Sequence, residues 1–390
     1  MRLTASFLIF IFSFGSCKAP EDDQLVNPNS NDTTNVNLSH KEKAKVVYDL
    51  IQEKYKLGDS YRENFPAQGE DRVCYLWSYV GMLRAANLLY ELGYDVSIHN
   101  KLFIGLEKYF VNRSSLPGYQ AEPISNGQHD IFYDDNCIVA MELINAYRLT
   151  SNQTYLDKAI VITDFIMSGE DERMGGGLYW MESVSKNCTE GQNCIKAANT
   201  TAYGAFVGTE LYKITEDPKY LSFAKRLYDW NYKTLRDKSD NLYWNDINIV
   251  SGQVNPAKWT YNAAMMILSG ISLYEITKNQ EYLDQSIATA RNSFSKFTRV
   301  INDQLFFQTN NPWFNVELMK SYIVLSKYDD KSKEYVNVFI KNADYAWTNA
   351  RNKDGQFYED WSGSQPGRYY WILHQACLIE AYGKAELYKK

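Results

Sequence analysis

Two adjacent carboxylates, Asp134 and Asp135, stand inside His129-Asp130-Ile131-Phe132-Tyr133-Asp134-Asp135-Asn136, just before a helical run that ends at Thr150. A paired carboxyl group at a helix mouth suits the cleavage of a glycosidic bond. One group protonates the leaving oxygen while the other attacks the sugar or activates water, the two lying about 5 Å apart for retention of configuration and wider for inversion. Neighbouring residues favour the short separation, hence retention. The helix dipole and its free N–H groups stabilise a carboxylate there, and two like charges in contact push one proton affinity up, which keeps an acid available beside a base. The same two residues also fit an Asp N-cap beside a solvated Asp. Asp329-Asp330, in a turn among lysines, reads that way.

The elements that would hold this pair are helical. The phrase Ala146-Tyr147-Arg148-Leu149-Thr150 to Tyr155-Leu156 returns as Leu211-Tyr212-Lys213-Ile214-Thr215 to Tyr220-Leu221 and as Leu273-Tyr274-Glu275-Ile276-Thr277 to Tyr282-Leu283. Each copy reads as a helix end, a polar turn with Asn or Asp, and a new helix start. Weaker copies occur near Leu89-Tyr90 and near Lys327-Tyr328 to Tyr335. Asn136 to Leu149 and Thr154 to Met167 exemplify one unit, with Ala140, Leu143, Ile144 and Tyr147 on one apolar face. Division of the folded part by the repeat length predicts about six helical hairpins. They could stack openly or close into a double ring. Long aromatic, Gly-rich connections at one end of alternate helices favour closure: Pro117-Gly118-Tyr119, Gly175-Gly176-Gly177-Leu178-Tyr179-Trp180, Asn241 to Asp246 and Gln356 to Gly363. Loops on a rigid scaffold are where function concentrates.

Composition narrows the partners. The 390 residues carry a net charge of −6 without a basic run, which argues against nucleic acid. Aromatic residues make up 15%, with 31 Tyr and 9 Trp, more than a Leu- and Ala-rich helical core needs. Their flat faces and single polar group suit sugar rings, although many must also serve as core. Only four His are present, without a Cys-x-x-Cys or His-Glu-x-x-His motif, so spacing supports no metal site or other cofactor. Cys188 and Cys194 flank a polar loop and could form a local disulfide.

The first forty residues differ from the rest. Arg2, the apolar run Phe7 to Phe12 and Gly15-Ser16-Cys17 read as a secretory signal over 1–16 with lipidation at Cys17. The run is too short to span a bilayer. Residues 17–40 are polar and read as a flexible tether, leaving 41–390 as one catalytic domain. Glu21-Asp22-Asp23 resembles the acidic export signal of Bacteroidetes surface lipoproteins, which implies a lipid-anchored domain at the outer membrane, on the cell surface or in the periplasm.

Tyr133-Asp134-Asp135-Asn136, followed by an apolar helix ending Ala-Tyr-x-Leu-Thr, resembles the signature of glycoside hydrolase family 76. Gly175 to Trp180, Tyr243-Trp244-Asn245-Asp246, Lys258-Trp259-Thr260-Tyr261-Asn262 and Trp361-Ser362-Gly363 extend the resemblance over nearly the whole folded part. It implies an all-α (α/α)6 barrel and a retaining α-1,6-mannanase that needs no metal, with α-mannan as the partner and a monomer as the working unit. Asp134 matches the family's nucleophile and Asp135 its general acid/base. Trp180, Trp259 and Trp361 would wall the sugar subsites, Tyr133, Asn136, Tyr261 and Asn262 would flank or bind the sugar, and Asp246 would contact the −1 region. The Cys188 to Cys194 insertion and Cys137 depart from the family pattern. Two further readings are a noncatalytic glycan-binding lipoprotein and a transglycosylase on α-mannosyl glycans. The carboxylate pair argues against the binder, and the lipoprotein signal favours the hydrolase.

Overall fold

The computed structural model describes residues 38–112, 116–184, 188–189 and 193–389. The signal segment, Cys17 and the tether up to residue 37 lie outside the described residues. His40, placed by composition at the end of the tether, is the first residue of helix α1 (His40–Lys54). A capping box sets that start: the Glu42 amide donates to Ser39 Oγ at 3.2 Å and the Ser39 amide donates to Glu42 Oε2 at 2.7 Å.

Among the described residues eleven further α-helices follow: α2 (Leu76–Glu91), α3 (Val96–Leu106), α4 (Tyr133–Thr150), α5 (Gln153–Met167), α6 (Ala198–Thr215), α7 (Pro218–Thr234), α8 (Thr260–Thr277), α9 (Gln280–Phe297), α10 (Pro312–Leu325), α11 (Lys331–Asn349) and α12 (Ile372–Tyr388). Helices α2, α4, α6, α8, α10 and α12 pack side by side, and α12 returns to α2, so they form a closed inner ring. Around it, α3 packs on α2, α5 on α4, α7 on α6, α9 on α8 and α11 on α10. The outer partner of α12 is α1. The protein is therefore an (α/α)6 barrel in which five hairpins are continuous and the sixth joins the two ends of the domain. The six helical hairpins expected from the repeat length are present. Closure uses the first helix to cover the last.

Polarity separates the rings. Inner helices such as α8 are buried on nearly every side, through Ala263, Met265, Met266, Ile267, Ser269 and Ser272, whereas α7 and α9 bury one stripe and leave the other in water. Where α6 meets α7 the backbones come close: a Cβ at Gly208 would stand 2.8 Å from the Tyr220 carbonyl oxygen. Gly270 occupies the same place, four residues before the repeated Tyr, in α8.

The repeated phrase is a local device for reversing the chain. Thr150, Thr215 and Thr277 end their helices, and each hydroxyl bonds the carbonyl four residues back at 2.7 to 2.9 Å. Ser151, Glu216 and Lys278 follow in left-handed conformation, with φ of 57°, 57° and 60°. Asn152, Asp217 and Asn279 then cap the outer helices by accepting the amides of Thr154, Lys219 and Glu281 at 3.1, 2.9 and 3.1 Å. These turns are short, so every long connection falls at the other end, where all six inner helices begin. Their N-termini converge on one mouth and favour negative charge there.

Candidate active site

Helix α4 begins at Tyr133 after an extended Phe132, which makes Asp134 and Asp135 the second and third residues of its first turn. They are inside the helix rather than ahead of it. Both side chains are half-buried at the mouth. The fourth residue of the helix, Asn136, turns outward and locks the preceding loop: its Nδ2 donates to the Tyr119 carbonyl at 2.9 Å and its Oδ1 accepts the Tyr119 amide at 2.8 Å. The same position does the same work elsewhere in the ring. Thr201 accepts the Leu178 amide at 3.0 Å, Asn315 donates to the Gln308 carbonyl at 2.8 Å, and Gln375 grips both backbone groups of Phe357 at 2.9 Å. In α4 the second and third residues are thereby left at the mouth while the fourth fixes the wall.

Asp134 is held by three donors. Trp180 Nε1 reaches Oδ2 at 3.0 Å, Asn199 Nδ2 reaches the same oxygen at 2.9 Å, and the Asp135 amide reaches Oδ1 at 3.1 Å. Asn199 is the second residue of α6, the register that Asp134 holds in α4. Trp180 is fixed by backbone bonds on both sides, from the Tyr133 amide to its carbonyl at 2.9 Å and from its own amide to Ile195 at 3.2 Å, and its ring lies 4.9 Å from Phe132.

The Gly-rich segment ahead of Trp180 wraps the Lys196 ammonium, whose side chain is fully buried. That group donates to the carbonyls of Asp171, Arg173 and Gly176 at 3.0, 2.8 and 2.7 Å and to Asp171 Oδ1 at 2.7 Å. Gly177 has a φ of +77°, and a Cβ there would come within 2.6 Å of the Trp230 ring, so only glycine lets the loop lie on α7.

Burial pushes the Asp134 carboxyl up to about 6, against the lowering effect of Asn199, the Asp135 amide and Trp180. Burial and then the Asp134 charge push Asp135 well above the carboxylate range. The pair thus shares its protons unequally: Asp134 is the better anion and Asp135 the better acid. Asp329 and Asp330 show what a structural pair looks like. Asp329 accepts the Ser332 amide at 3.1 Å, and the exposed Asp330 meets Lys333 at 2.6 Å.

Tyr261, second residue of α8, is close enough for the Asp134 charge to help raise its phenol, after burial as the main cause. Asp246 sits in a small antiparallel sheet of Ile195–Ala197, Asp246–Asn248 and Val254–Asn255, paired with Ala197 at the start of α6. Its Oδ2 accepts from Asn245 at 2.7 Å and Asn255 at 2.9 Å. Trp259 is half-buried just before α8, with its ring 6.0 Å from Phe314.

Four expected sugar contacts are buried away from the mouth. Tyr133 is fully buried and stacks on Phe165 of α5 at 4.7 Å, and Asn136 is the loop lock described above. Asn262, third residue of α8, is fully buried with both amide atoms unpartnered. Trp361 is 6% exposed, packs edge-on to Phe339 at 5.4 Å and lines a small cavity with Phe306, Phe307 and Gln308. The family resemblance marked these side chains, and the fold buries them: Tyr133, Asn136 and Asn262 within their helices and Trp361 in the connection between α11 and α12. Conversely, the contacts of Asn199 and Lys196 were missed. Counting from the start of α6 finds Asn199.

Cys188 and Cys194 are joined by a disulfide across Cα atoms 5.7 Å apart, closing the insertion beside β-strand residues Ile195–Ala197. Cys137 is buried below the carboxylates and packs as a small apolar side chain.

The sequence profile of glycosyl hydrolase family 76 matches residues 39–389, the entire barrel. This chain belongs to glycosyl hydrolase family 76. As a family 76 member it is a glycoside hydrolase, and its barrel superposes on solved relatives. A family 76 alpha-mannanase from Bacteroides thetaiotaomicron, solved as a selenomethionine derivative, is 28% identical, with a TM-score of 0.81 over 91% of this chain and 97% of that one. The alpha-1,6-mannanase of Salegentibacter sp. HEL1_6, in an inactive variant with two consecutive aspartates replaced by asparagine and alpha-1,6-mannotriose bound, shares the fold. It is 21% identical, with a TM-score of 0.73 over 90% of this chain and all of that one. A Schizosaccharomyces pombe protein described as meiotically up-regulated gene 191 protein is 25% identical over 205 residues. That match spans 49% of this chain and 45% of the yeast protein's length.

Proposed function

We propose that this family 76 enzyme is a retaining, endo-acting α-1,6-mannanase that hydrolyses the backbone of fungal-type mannan. The observation that carries the reading is the unequal environment of Asp134 and Asp135 in one helical turn. Asp134, held by Trp180, Asn199 and the Asp135 amide, attacks the anomeric carbon, and Asp135 protonates the departing glycosidic oxygen. The resulting glycosyl ester on Asp134 is opened by a water that gives its proton back to Asp135. Configuration at the anomeric carbon is retained over the two displacements.

Support for the α-1,6 linkage comes from the relatives. The Salegentibacter enzyme is an alpha-1,6-mannanase whose paired aspartates were replaced in its inactive variant, and its barrel overlays this one. The reading includes a lipid tether at the outer membrane, supported by the signal-like start, Cys17 and the acidic cluster Glu21-Asp22-Asp23. Incubation of the protein with linear α-1,6-mannan, with products followed over time by chromatography, tests the proposal. A spread of oligosaccharides is expected at early times. A single short product would replace endo with exo action, and binding without cleavage would move the protein to the glycan-binding class.

A further inference from the structure

The register that delivers Asp134 to the mouth delivers aromatic rings from the other helices. Trp77 is the second residue of α2 and Phe314 the third of α10, while Trp371 immediately precedes α12. All three are half-buried, as are Trp259 and Tyr261 at the start of α8. They form one continuous wall. Trp77 stacks on Phe314 at 6.0 Å and 22° and meets Trp371 edge-on at 5.0 Å and 83°. Phe314 continues the wall to Tyr261 at 4.1 Å and to Trp259 at 6.0 Å. In the ring order α2, α4, α6, α8, α10, α12, helix α10 is opposite α4, so Phe314 stands across the mouth from the carboxylate pair, while Trp77 lies at the start of the helix next to α4 and the wall runs between them.

Its rings are held in place. Trp371 Nε1 donates to Glu63 Oε1 at 2.5 Å and to Ser78 Oγ at 2.8 Å. Glu63 also accepts from Ser78 Oγ at 2.7 Å and from the Tyr75 amide at 2.9 Å. The one polar edge of Trp371 is therefore occupied on the protein side, and neighbouring rings brace Trp77 and Phe314. A packed core would bury such rings entirely. Here five partly exposed aromatic side chains stand at or just before four of the inner-helix N-termini, the end of the barrel that also carries the acids, and rigid apolar faces of this kind bind flat partners without first losing rotamer freedom.

We propose that Trp77, Phe314 and Trp371 form a stacking platform for pyranose rings of the substrate chain other than the one attacked by Asp134, and that this platform sets how many sugars the enzyme grips. The inference rests on the mannanase reading, since the occupant is the same chain that Asp134 and Asp135 cut. Trp77 and Phe314 act through binding and take no part in bond breaking.

The test compares the full chain with Trp77→Ala, Phe314→Ala and Trp77→Phe. Affinities for α-1,6-mannooligosaccharides of increasing length are measured by calorimetry in an Asp134→Asn, Asp135→Asn background, and kcat and KM are measured with both acids intact. Each Ala variant is expected to weaken binding of the longer oligosaccharides about 3- to 10-fold, to raise KM on mannan with kcat held, and to leave the shortest ligands and the melting temperature unchanged. Trp77→Phe is expected to recover most of the affinity. Unchanged affinity in both Ala variants while the parent binds would overturn the platform alone, as would equal losses at every length together with a lowered melting temperature. A parent that neither binds nor cuts α-1,6-mannosides would overturn the mannanase reading and the platform with it.

Discussion

Asn199 Nδ2 of α6 donates to Asp134 Oδ2 of α4 at 2.9 Å, a bond between equivalent positions of two neighbouring inner helices. It ties the charge of the better anion to the ring itself. Because the bond is made to the ionised form, it holds the Asp134 proton affinity below what burial alone would set. Asn199→Ala and Trp180→Phe should each raise it further. The expected result is an acidic limb of kcat/KM displaced to higher pH in both variants. A pH profile identical to that of the parent would remove both side chains from the electrostatics of the site.

Activity should follow a bell-shaped pH curve. Asp134 must be ionised, which places the acidic limb near its value of about 6, and Asp135 must keep its proton, which places the alkaline limb higher. The two limbs belong to the coupled pair. Asp134→Asn and Asp135→Asn should each lower kcat by ~10³-fold or more with an unchanged circular dichroism spectrum. Near-parental turnover in either variant would contradict its role.

The same pair should weaken the fold at neutral pH. A carboxyl whose proton affinity is raised by folding binds its proton in the native state where the unfolded chain has released it, so stability is full below the unfolded value near 4 and falls as pH rises through the folded value. Asp135→Asn removes that penalty. Its melting temperature should exceed the parent's at pH 7 and converge with it near pH 4, as scanning calorimetry can check.

Much of this architecture was legible in the amino-acid order because it is built locally. The Tyr-x-x-Thr turn with its Asn or Asp cap stands in three copies, each complete within about ten residues, and it marks the hairpins directly. Asp134 and Asp135 were legible because two acids beside an apolar helix need a reason. Closure of α1 onto α12 joins residues over 300 positions apart and leaves no periodic trace. Tyr133, Asn136 and Trp361 misled for a related reason: an aromatic or amide residue near a site looks the same in sequence whether it turns to the mouth or to the outer ring. For Tyr133 and Asn136 one residue of helical register decides, and helix starts are the least certain part of a sequence reading, whereas Trp361 lies in the long connection between α11 and α12, where no periodicity sets its direction.

Lys196 provides a stability prediction away from the acids. Lys196→Met removes a buried ammonium from three carbonyl groups and the Asp171 carboxylate. A loss of about 2–4 kcal/mol is expected in denaturant titration. Activity should fall with it, because the freed loop carries Trp180. Equal stability would mean that the loop is held by Gly177 and the α7 surface alone.

Glu216, in left-handed conformation with a φ of 57°, is exposed to the opposite test. Glu216→Gly should stabilise the barrel by about 0.5–1 kcal/mol, because glycine adopts this conformation without the side-chain clash. Kinetic constants should be unchanged, since the α6–α7 turn lies at the end of the barrel remote from the mouth. A lowered melting temperature would show that the Glu216 side chain contributes more than its backbone costs.

The most direct measurement of the central claim is early-time proton NMR of linear α-1,6-mannan during cleavage by the intact enzyme. New reducing ends that first appear in the α configuration and only later equilibrate are the predicted result, fitting a glycosyl ester on Asp134 and a proton carried by Asp135. New ends that first appear as β would contradict the nucleophile role of Asp134, and an unaltered polymer would contradict the mannanase itself.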